Sequence, residues 1–133
     1  MVRKRRPRIP PPLHELEAEV MNEAWRHERL SVRELMERLN RRAQKPRAYT
    51  TYMTVMARLD RKGLLSRQRE GKTDFYSPTF SRDEYRSLRA QAEVKGLVRQ
   101  FGDVALAQFA RQMDELEPKH LEELRRLARE DSD

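Results

Sequence analysis

One segment of this 133-residue chain places hydroxyl and guanidinium side chains at helical spacing. From Tyr49 to Lys62 an apolar stripe recurs at steps of three and four residues, which predicts an amphipathic helix. The stripe consists of Tyr52, Val55, Met56 and Leu59. Hydroxyl groups can hydrogen-bond base edges, and guanidinium groups bind phosphates and guanine. The polar side of the helix, with Met53 at its flank, is therefore a candidate surface for duplex DNA. Its candidate contacts are Tyr49, Thr50, Thr51, Thr54, Arg58 and Arg61.

Positive charge is concentrated around this helix. The formal net charge of the chain is +7, and residues 40–72 hold ten Lys or Arg against only Asp60 and Glu70. Residues 1–80 carry a net charge of +9 (19 basic, 10 acidic), whereas residues 81–133 carry −2 (10 basic, 12 acidic). Such a patch is typical of a surface that contacts phosphates. The predicted phosphate contacts on either side of the helix are Arg41, Arg42, Lys45, Arg47, Arg67, Arg69 and Lys72.

The neighbouring elements predict a winged helix-turn-helix. Gly63 favours the end of a helix, and alternating residues predict strands over 64–68 and 73–77, joined by a turn over 69–72. A first helix is predicted from Leu13 to Trp25, with Trp25 in the core. Its outer face carries Glu15, Glu17, Glu19 and Glu23. A capping box at Ser31 predicts the start of a second helix. The predicted fold class is mainly α with a small β-hairpin.

The C-terminal residues predict three more amphipathic helices. A second capping box begins at Ser81, Gly102 interrupts the pattern, and Pro118 stands where a helix start tolerates proline. Helices of this size do not close a core alone, so we expect a second copy of the chain to complete their burial. The predicted dimer contacts are Tyr85, Leu88, Leu97, Val98, Phe101, Leu106, Phe109, Met113, Leu121, Leu124 and Leu127.

These patterns divide the chain into three parts. Residues 1–12 form a basic, proline-rich and flexible arm, residues 13–79 the winged helix-turn-helix domain, and residues 80–133 a helical dimerisation domain. The arm either solubilises the chain or lies along DNA.

The sequence also disfavours several classes of protein. It has no cysteine, which excludes disulfides and thiolate metal sites, and its three histidines lack metal-ligand spacing. We therefore predict no enzyme activity, no cofactor and no metal. No apolar run approaches the ~18 residues that span a membrane. The basic N-terminus lacks the apolar core of a secretory signal. A soluble, cytoplasmic protein without membrane insertion is expected.

The chain resembles the penicillinase-repressor family, the BlaI/MecI group of winged-helix repressors, over about residues 13–130. The matching segments are LHELEAEVMNEAW, LSVRELMERLN, AYTTYMTVMARLDRKGLL, REGKTDFYSP and SRDEYR. The resemblance implies a homodimer that binds inverted-repeat operators on double-stranded DNA and represses nearby genes, including β-lactam-resistance genes. It also implies a membrane sensor protease that cuts the repressor. The segment Gln100–Val104 is shorter than the family's usual Phe-x-Gly-Gly linker, and a copper-sensing Cys-x-Cys pair is missing.

Two alternatives stay open at this point. One is a regulator with the same fold that senses a small molecule between its C-terminal helices. The other is a protein-interaction module whose winged helix does not read DNA.

Overall fold

The computed structural model describes residues 6–131, and the first five residues of the predicted arm lie outside this range. The described elements are six helices and three short strands. They are α1 (Glu15–Trp25), β1 (Leu30–Ser31), α2 (Val32–Arg42), α3 (Tyr49–Arg61), β2 (Leu65–Glu70), β3 (Thr73–Pro78), α4 (Arg82–Phe101), α5 (Asp103–Asp114) and α6 (Pro118–Asp131). The chain divides into two compact units, one ending at Gln91 and the other beginning at Ala92. Among residues 6–131, none of the helices is both long and apolar enough to cross a membrane.

The core of the first unit forms where the predicted apolar stripes of α1, α2 and α3 meet. Val20 and Leu35 are fully buried, and so are Tyr52, Met56 and Leu59 of α3. Burying side chains of this size removes apolar surface from water, which is the main favourable term in folding. The helix pattern therefore predicted this part of the core correctly.

The capping boxes were also predicted correctly. In the first, the Ser31 hydroxyl accepts from the Glu34 amide at 3.1 Å, and the Glu34 carboxylate accepts from the Ser31 amide at 3.1 Å. Ser81 and Glu84 repeat this arrangement at the start of α4, with distances of 3.0 and 2.9 Å. Each box satisfies amide groups that a helix start leaves unpaired, so the two starts are defined locally.

The sheet differs from the predicted hairpin in two ways. Its strand order is β1-β3-β2, and the two-residue strand β1 pairs with β3 through Leu30 and Tyr76. This strand was not predicted because two residues are too few to show the alternation of apolar and polar side chains that indicates a strand. The predicted turn over 69–72 is also too long, since Glu70 pairs with Thr73 and only Gly71 and Lys72 remain between the strands. Gly71 has φ of +62°, a conformation that glycine adopts without strain.

The outer face predicted for α1 is wrong at Glu17 and Glu23. Their side chains are only 1% and 5% exposed. Glu17 accepts from the Lys62 ammonium at 2.8 Å and from the His14 amide at 3.0 Å. Burial opposes ionisation, but the bonds from Lys62 and His14 outweigh it, so the pKa of Glu17 lies below its ordinary value. Both carboxylates occupy the core side of α1 because cations reach them there.

Glu23 has a different set of partners around it. Arg42 of α2 donates to its carboxylate, and both Arg26 and His27 approach it at 3.5 Å. Burial again disfavours the charge, but the hydrogen bond and positive charge of Arg42, with smaller contributions from Arg26 and from the His27 hydrogen bond, outweigh it, which lowers the pKa of Glu23. The Arg42–Glu23 ion pair connects the C-terminal end of α2 to α1.

The arm predicted as flexible is packed against the first unit over residues 6–12. Pro10 is fully buried, and its carbonyl oxygen accepts from Arg89 at 3.1 Å. Arg6 donates to Glu84 at 3.0 Å, and the Pro11 carbonyl accepts from the Tyr85 hydroxyl at 2.9 Å. Proline carbonyls need no partner within the segment, so they can accept these bonds from α4. The flexibility of the arm stays a prediction.

Tyr85 also corrects the predicted dimer surface. Its side chain is only 8% exposed, and its ring centroid lies 5.3 Å from that of Trp25. The Trp25 indole in turn donates to the Phe80 carbonyl at 3.0 Å. Leu88 packs partly against the same core. Tyr85 therefore belongs to the interior of the first unit and is not available to a second chain.

The second unit keeps most of its apolar side chains at the surface. Its helices match the predicted breaks at Gly102 and Pro118. Only Ala105 is buried among the apolar residues described in this unit. The exposed large apolar side chains are Val94, Leu97, Phe101, Val104, Leu106, Met113, Leu124 and Leu127. Val98, Phe109 and Leu121 are half-buried. So much apolar surface on three helices is unusual for a monomer.

Candidate nucleic-acid interface

Helix α3 presents its predicted polar face to solvent. Tyr52, Val55, Met56 and Leu59 are buried beneath it. The exposed side chains on that face include all six residues predicted to contact DNA, namely Tyr49, Thr50, Thr51, Thr54, Arg58 and Arg61. The structure therefore brings these residues together on one surface, while their contact with DNA stays a prediction.

The start of α3 is held by Asn40, a residue that the sequence analysis did not single out. The Asn40 side chain accepts from the Arg47 amide at 3.0 Å and donates to the Arg47 carbonyl at 2.9 Å. Its oxygen also accepts from the Tyr52 hydroxyl at 2.7 Å. One amide group thus closes the loop between α2 and α3. The only sequence signal was an asparagine at the end of a helix before a proline-containing loop.

The four predicted phosphate contacts before α3 fall into two groups. Arg41 and Lys45 are exposed. Arg42 and Arg47 form ion pairs with carboxylates of α1, Arg42 with the buried Glu23 and Arg47 with Glu19 at 3.3 Å. The side chain of Arg47 is still 40% exposed, and that of Arg42 is 53% exposed. Both side chains therefore lie at the surface, although each has an acidic neighbour that would compete with a phosphate.

The hairpin carries the remaining predicted cations, Arg67, Arg69 and Lys72, and all three are exposed. Arg69 approaches Asp74 across the hairpin at 4.0 Å, and its Nε donates to the Gly71 carbonyl at 3.4 Å. Burial raises the pKa of the Tyr76 hydroxyl, against the opposing effect of a hydrogen bond from Arg67. Of the three hairpin cations, Lys72 lies at the tip, and Arg67 and Arg69 lie along β2.

A second missed feature fixes the hairpin to the rest of the first unit. Arg29 donates two hydrogen bonds of 2.7 Å to Glu70, and its guanidinium lies 3.9 Å from the centroid of the Phe75 ring. The hydrogen bonds from Arg29 lower the pKa of Glu70. A bidentate pair of this kind gives a defined orientation. It ties the hairpin to the connection after α1, which carries Arg29.

Three helices followed by a β-hairpin, with a helix exposing hydroxyl and guanidinium groups, define a winged helix-turn-helix domain. The predicted fold class is confirmed. Sequence comparison gives the family. The family described as penicillinase repressor matches residues 13–130, and the chain belongs to it.

Individual relatives match shorter parts of the chain. The transcriptional regulator BlaI of Mycobacterium tuberculosis is 41% identical over 73 residues, covering 54% of this chain and 51% of that protein. The penicillinase repressor of Bacillus licheniformis is 26% identical over 83 residues, covering 62% of each chain. This chain thus aligns with about half to three-fifths of the length of these relatives.

Solved structures include a match to part of this chain. The solution structure of the DNA binding domain of the repressor BlaI superposes with a TM-score of 0.50 at 28% identity, covering 59% of this chain and 92% of that one. The similarity supports the winged-helix assignment.

Proposed function

We propose that this protein is a transcriptional repressor that binds double-stranded DNA sequence-specifically as a homodimer. The observation that carries the proposal is the exposed threonine and arginine face of α3, flanked by cations of the hairpin. A helix of this diameter fits the major groove, where each base pair presents a distinct pattern of donors and acceptors. Related proteins are named as repressors, and the solved relative is named as a DNA-binding domain.

Each part of the surface has a separate task in this proposal. Thr50, Thr51 and Thr54 lie at the N-terminal half of α3 and approach base edges, while Arg58 and Arg61 bind phosphates or guanine. The loop before α3 supplies Arg41, Arg42, Lys45 and Arg47, and the hairpin supplies Arg67, Arg69 and Lys72. Arg42 and Arg47 must share or exchange their carboxylate partners on binding, and Arg69 has a longer contact of 4.0 Å to Asp74. Among these seven residues, we therefore expect the largest phosphate contributions from Arg41, Lys45, Arg67 and Lys72.

The second unit supplies the homodimer in this proposal. Its exposed side chains at Leu97, Phe101, Leu106, Met113 and Leu124 would be covered by a second copy of the same helices. A two-fold dimer presents two copies of α3, which suits an inverted repeat with half-sites about 34 Å apart or a multiple of it. Occupying a promoter would exclude polymerase.

The biological setting is proposed from the names of the relatives. The names of the relatives point to genes of the β-lactam-resistance type. A cytoplasmic location is part of the same proposal. Release of repression by a membrane sensor protease stays a prediction of the resemblance.

Replacing Arg69 and Lys72 together by alanine should weaken binding to every duplex and flatten its salt dependence. The slope of log affinity against log salt should become shallower by about 1.8 per chain, since each lost phosphate contact removes about 0.9. Fluorescence anisotropy over a salt series measures it. The matched control replaces Lys119 and Arg125, two exposed cations of α6, and should leave the slope unchanged. An unaltered slope in the hairpin variant would remove the hairpin from the interface, and a wild-type chain that binds no duplex at low salt would contradict the function itself.

The Thr54→Ala substitution should relax base preference at one position of each half-site by roughly 1 kcal/mol. The Thr54 hydroxyl donates its proton to the Thr50 carbonyl at 2.9 Å, so toward the groove it can only accept. We therefore expect it to select a base with an exocyclic amine, adenine or cytosine. Sites selected from random duplexes by each variant reveal the change. Thr54→Ser should keep the preference and Thr54→Val should lose it. Identical selected sites for all four proteins would exclude Thr54 from base reading.

A further inference from the structure

The exposed apolar side chains of the first unit are unevenly distributed. Among its described residues, three large apolar side chains are exposed, namely Ile9, Tyr49 and Met53. Two of the three lie on α3, one turn apart, with exposures of 41% and 44%. Single exposed apolar side chains are common on protein surfaces and need no explanation. A pair of them on the face proposed to bind DNA suggests that they contact an apolar group of the DNA.

Tyr49 and Met53 belong to a row along α3. Positions i and i+4 are neighbours on a helix, so Tyr49, Met53 and the half-buried Ala57 form an apolar row. The next row consists of Thr50, Thr54 and Arg58. The Tyr49 ring lies 5.9 Å from the Arg33 guanidinium of α2, which places it at the junction of the two helices. The face thus has an apolar row and a polar row side by side.

We propose that the apolar row reads thymine through its 5-methyl group, with Met53 as the main specificity-determining residue and Tyr49 as the second. This inference rests on the proposed function. The thymine methyl is the apolar group that the major-groove edges of base pairs present, and apolar side chains contact it. The exposed Arg58 and Arg61 on the same helix favour a polyanion as the occupant over an apolar protein or lipid surface. The unbranched, flexible methionine side chain can adjust to the position of the methyl.

Substituting deoxyuridine for thymidine tests the proposal, because it removes the methyl group and leaves base pairing unchanged. Duplexes are first selected from a random pool with the full-length wild-type chain. Each thymine in the selected half-site is then replaced singly. The wild type should lose about fourfold in affinity at one or two positions, the effect of one buried methyl-sized group. Met53→Ala should bind the thymine duplex about fourfold more weakly and should no longer respond to uracil at one of those positions.

Two further variants distinguish a loss of thymine recognition from a loss of folded structure. Met53→Leu keeps an apolar side chain and should keep the response to uracil. Ile9→Ala removes an exposed apolar side chain that is not part of α3, and it should leave both the affinity and the response to uracil unchanged. Thermal melting of each variant checks that it remains folded. The inference is overturned if the selected sites lack thymine, if uracil at every position leaves wild-type affinity within twofold, or if Met53→Ala keeps the full response. A wild-type chain that enriches no sequence would overturn the proposed function as well, whereas enrichment without methyl sensitivity overturns this inference alone.

Discussion

Replacing Phe101 by glutamate is expected to give monomers and to reduce affinity for a duplex with two half-sites by about a hundredfold to ten-thousandfold, the gain that linked binding sites provide. Phe101 is 51% exposed at the end of α4, among the apolar side chains proposed to meet a second chain. A carboxylate there would have to be buried without a counter-ion for the dimer to form. Sedimentation equilibrium gives the oligomeric state, and electrophoretic mobility shift on a two-half-site duplex gives the affinity.

Gln100→Glu is the matched control for this experiment. It introduces the same charge at the neighbouring exposed residue of the same helix. If the exposed apolar side chains of the second unit form the dimer contact, the Gln100→Glu variant should remain dimeric and should bind the duplex with unchanged affinity. A single half-site should be bound equally by Phe101→Glu and the wild type, because the first unit is unaltered. A wild-type chain that is monomeric at micromolar concentration, or a Phe101→Glu dimer, would contradict the assignment of the second unit.

The second large effect concerns stability. Lys62→Met is expected to lower the free energy of unfolding by about 3 kcal/mol, because it leaves a buried carboxylate without its counter-ion. Glu17 is 1% exposed, and its bond from Lys62 spans 2.8 Å. Since Lys62 itself is partly exposed, we expect a loss at the lower end of the range for buried pairs. Urea unfolding followed by circular dichroism measures the change.

Removing both charges separates the pair from the packing around it. The double variant Glu17→Met with Lys62→Met should recover most of the lost stability, since an apolar pair of similar volume is often no worse than a buried ion pair. A double variant as unstable as the single one would instead point to lost packing at Lys62.

Glu17 should also make the stability of the folded chain depend on pH. The pKa of Glu17 is lowered in the folded chain, so its contribution is fully present above the ordinary value of 4.5 and is lost as pH falls toward the folded-state value. The Glu17→Met variants should lack this part of the acid sensitivity. Unfolding curves between pH 7 and pH 3 would reveal a difference in slope.

Much of the first unit could be predicted because its signals are local. The stripe of Tyr52, Val55, Met56 and Leu59 needs only helical geometry to define which side of α3 is buried and which side is left exposed to solvent. Ser31 and Ser81 mark helix starts because the capping groups lie three residues apart in the chain. Gly102 and Pro118 marked the helix boundaries of the second unit because their effect on the backbone is also local.

The missed features all join residues that are distant in the chain. Glu17 meets Lys62 and Arg29 meets Glu70, at separations of 45 and 41 residues. Tyr85 packs on Trp25 and bonds to Pro11, which removes it from the predicted dimer surface. A helical wheel places a glutamate on an outer face by its charge alone and contains no information on which cation arrives from elsewhere.

By itself, the sequence determined the order and type of the helices, the hairpin and the chemistry of the exposed face of α3, because periodicity, caps and composition act over a few residues. Only the tertiary structure decided which charged groups are buried, where the N-terminal segment lies and which arginines already have carboxylate partners. Those outcomes depend on the distances between elements, and such distances exist only once the chain has packed.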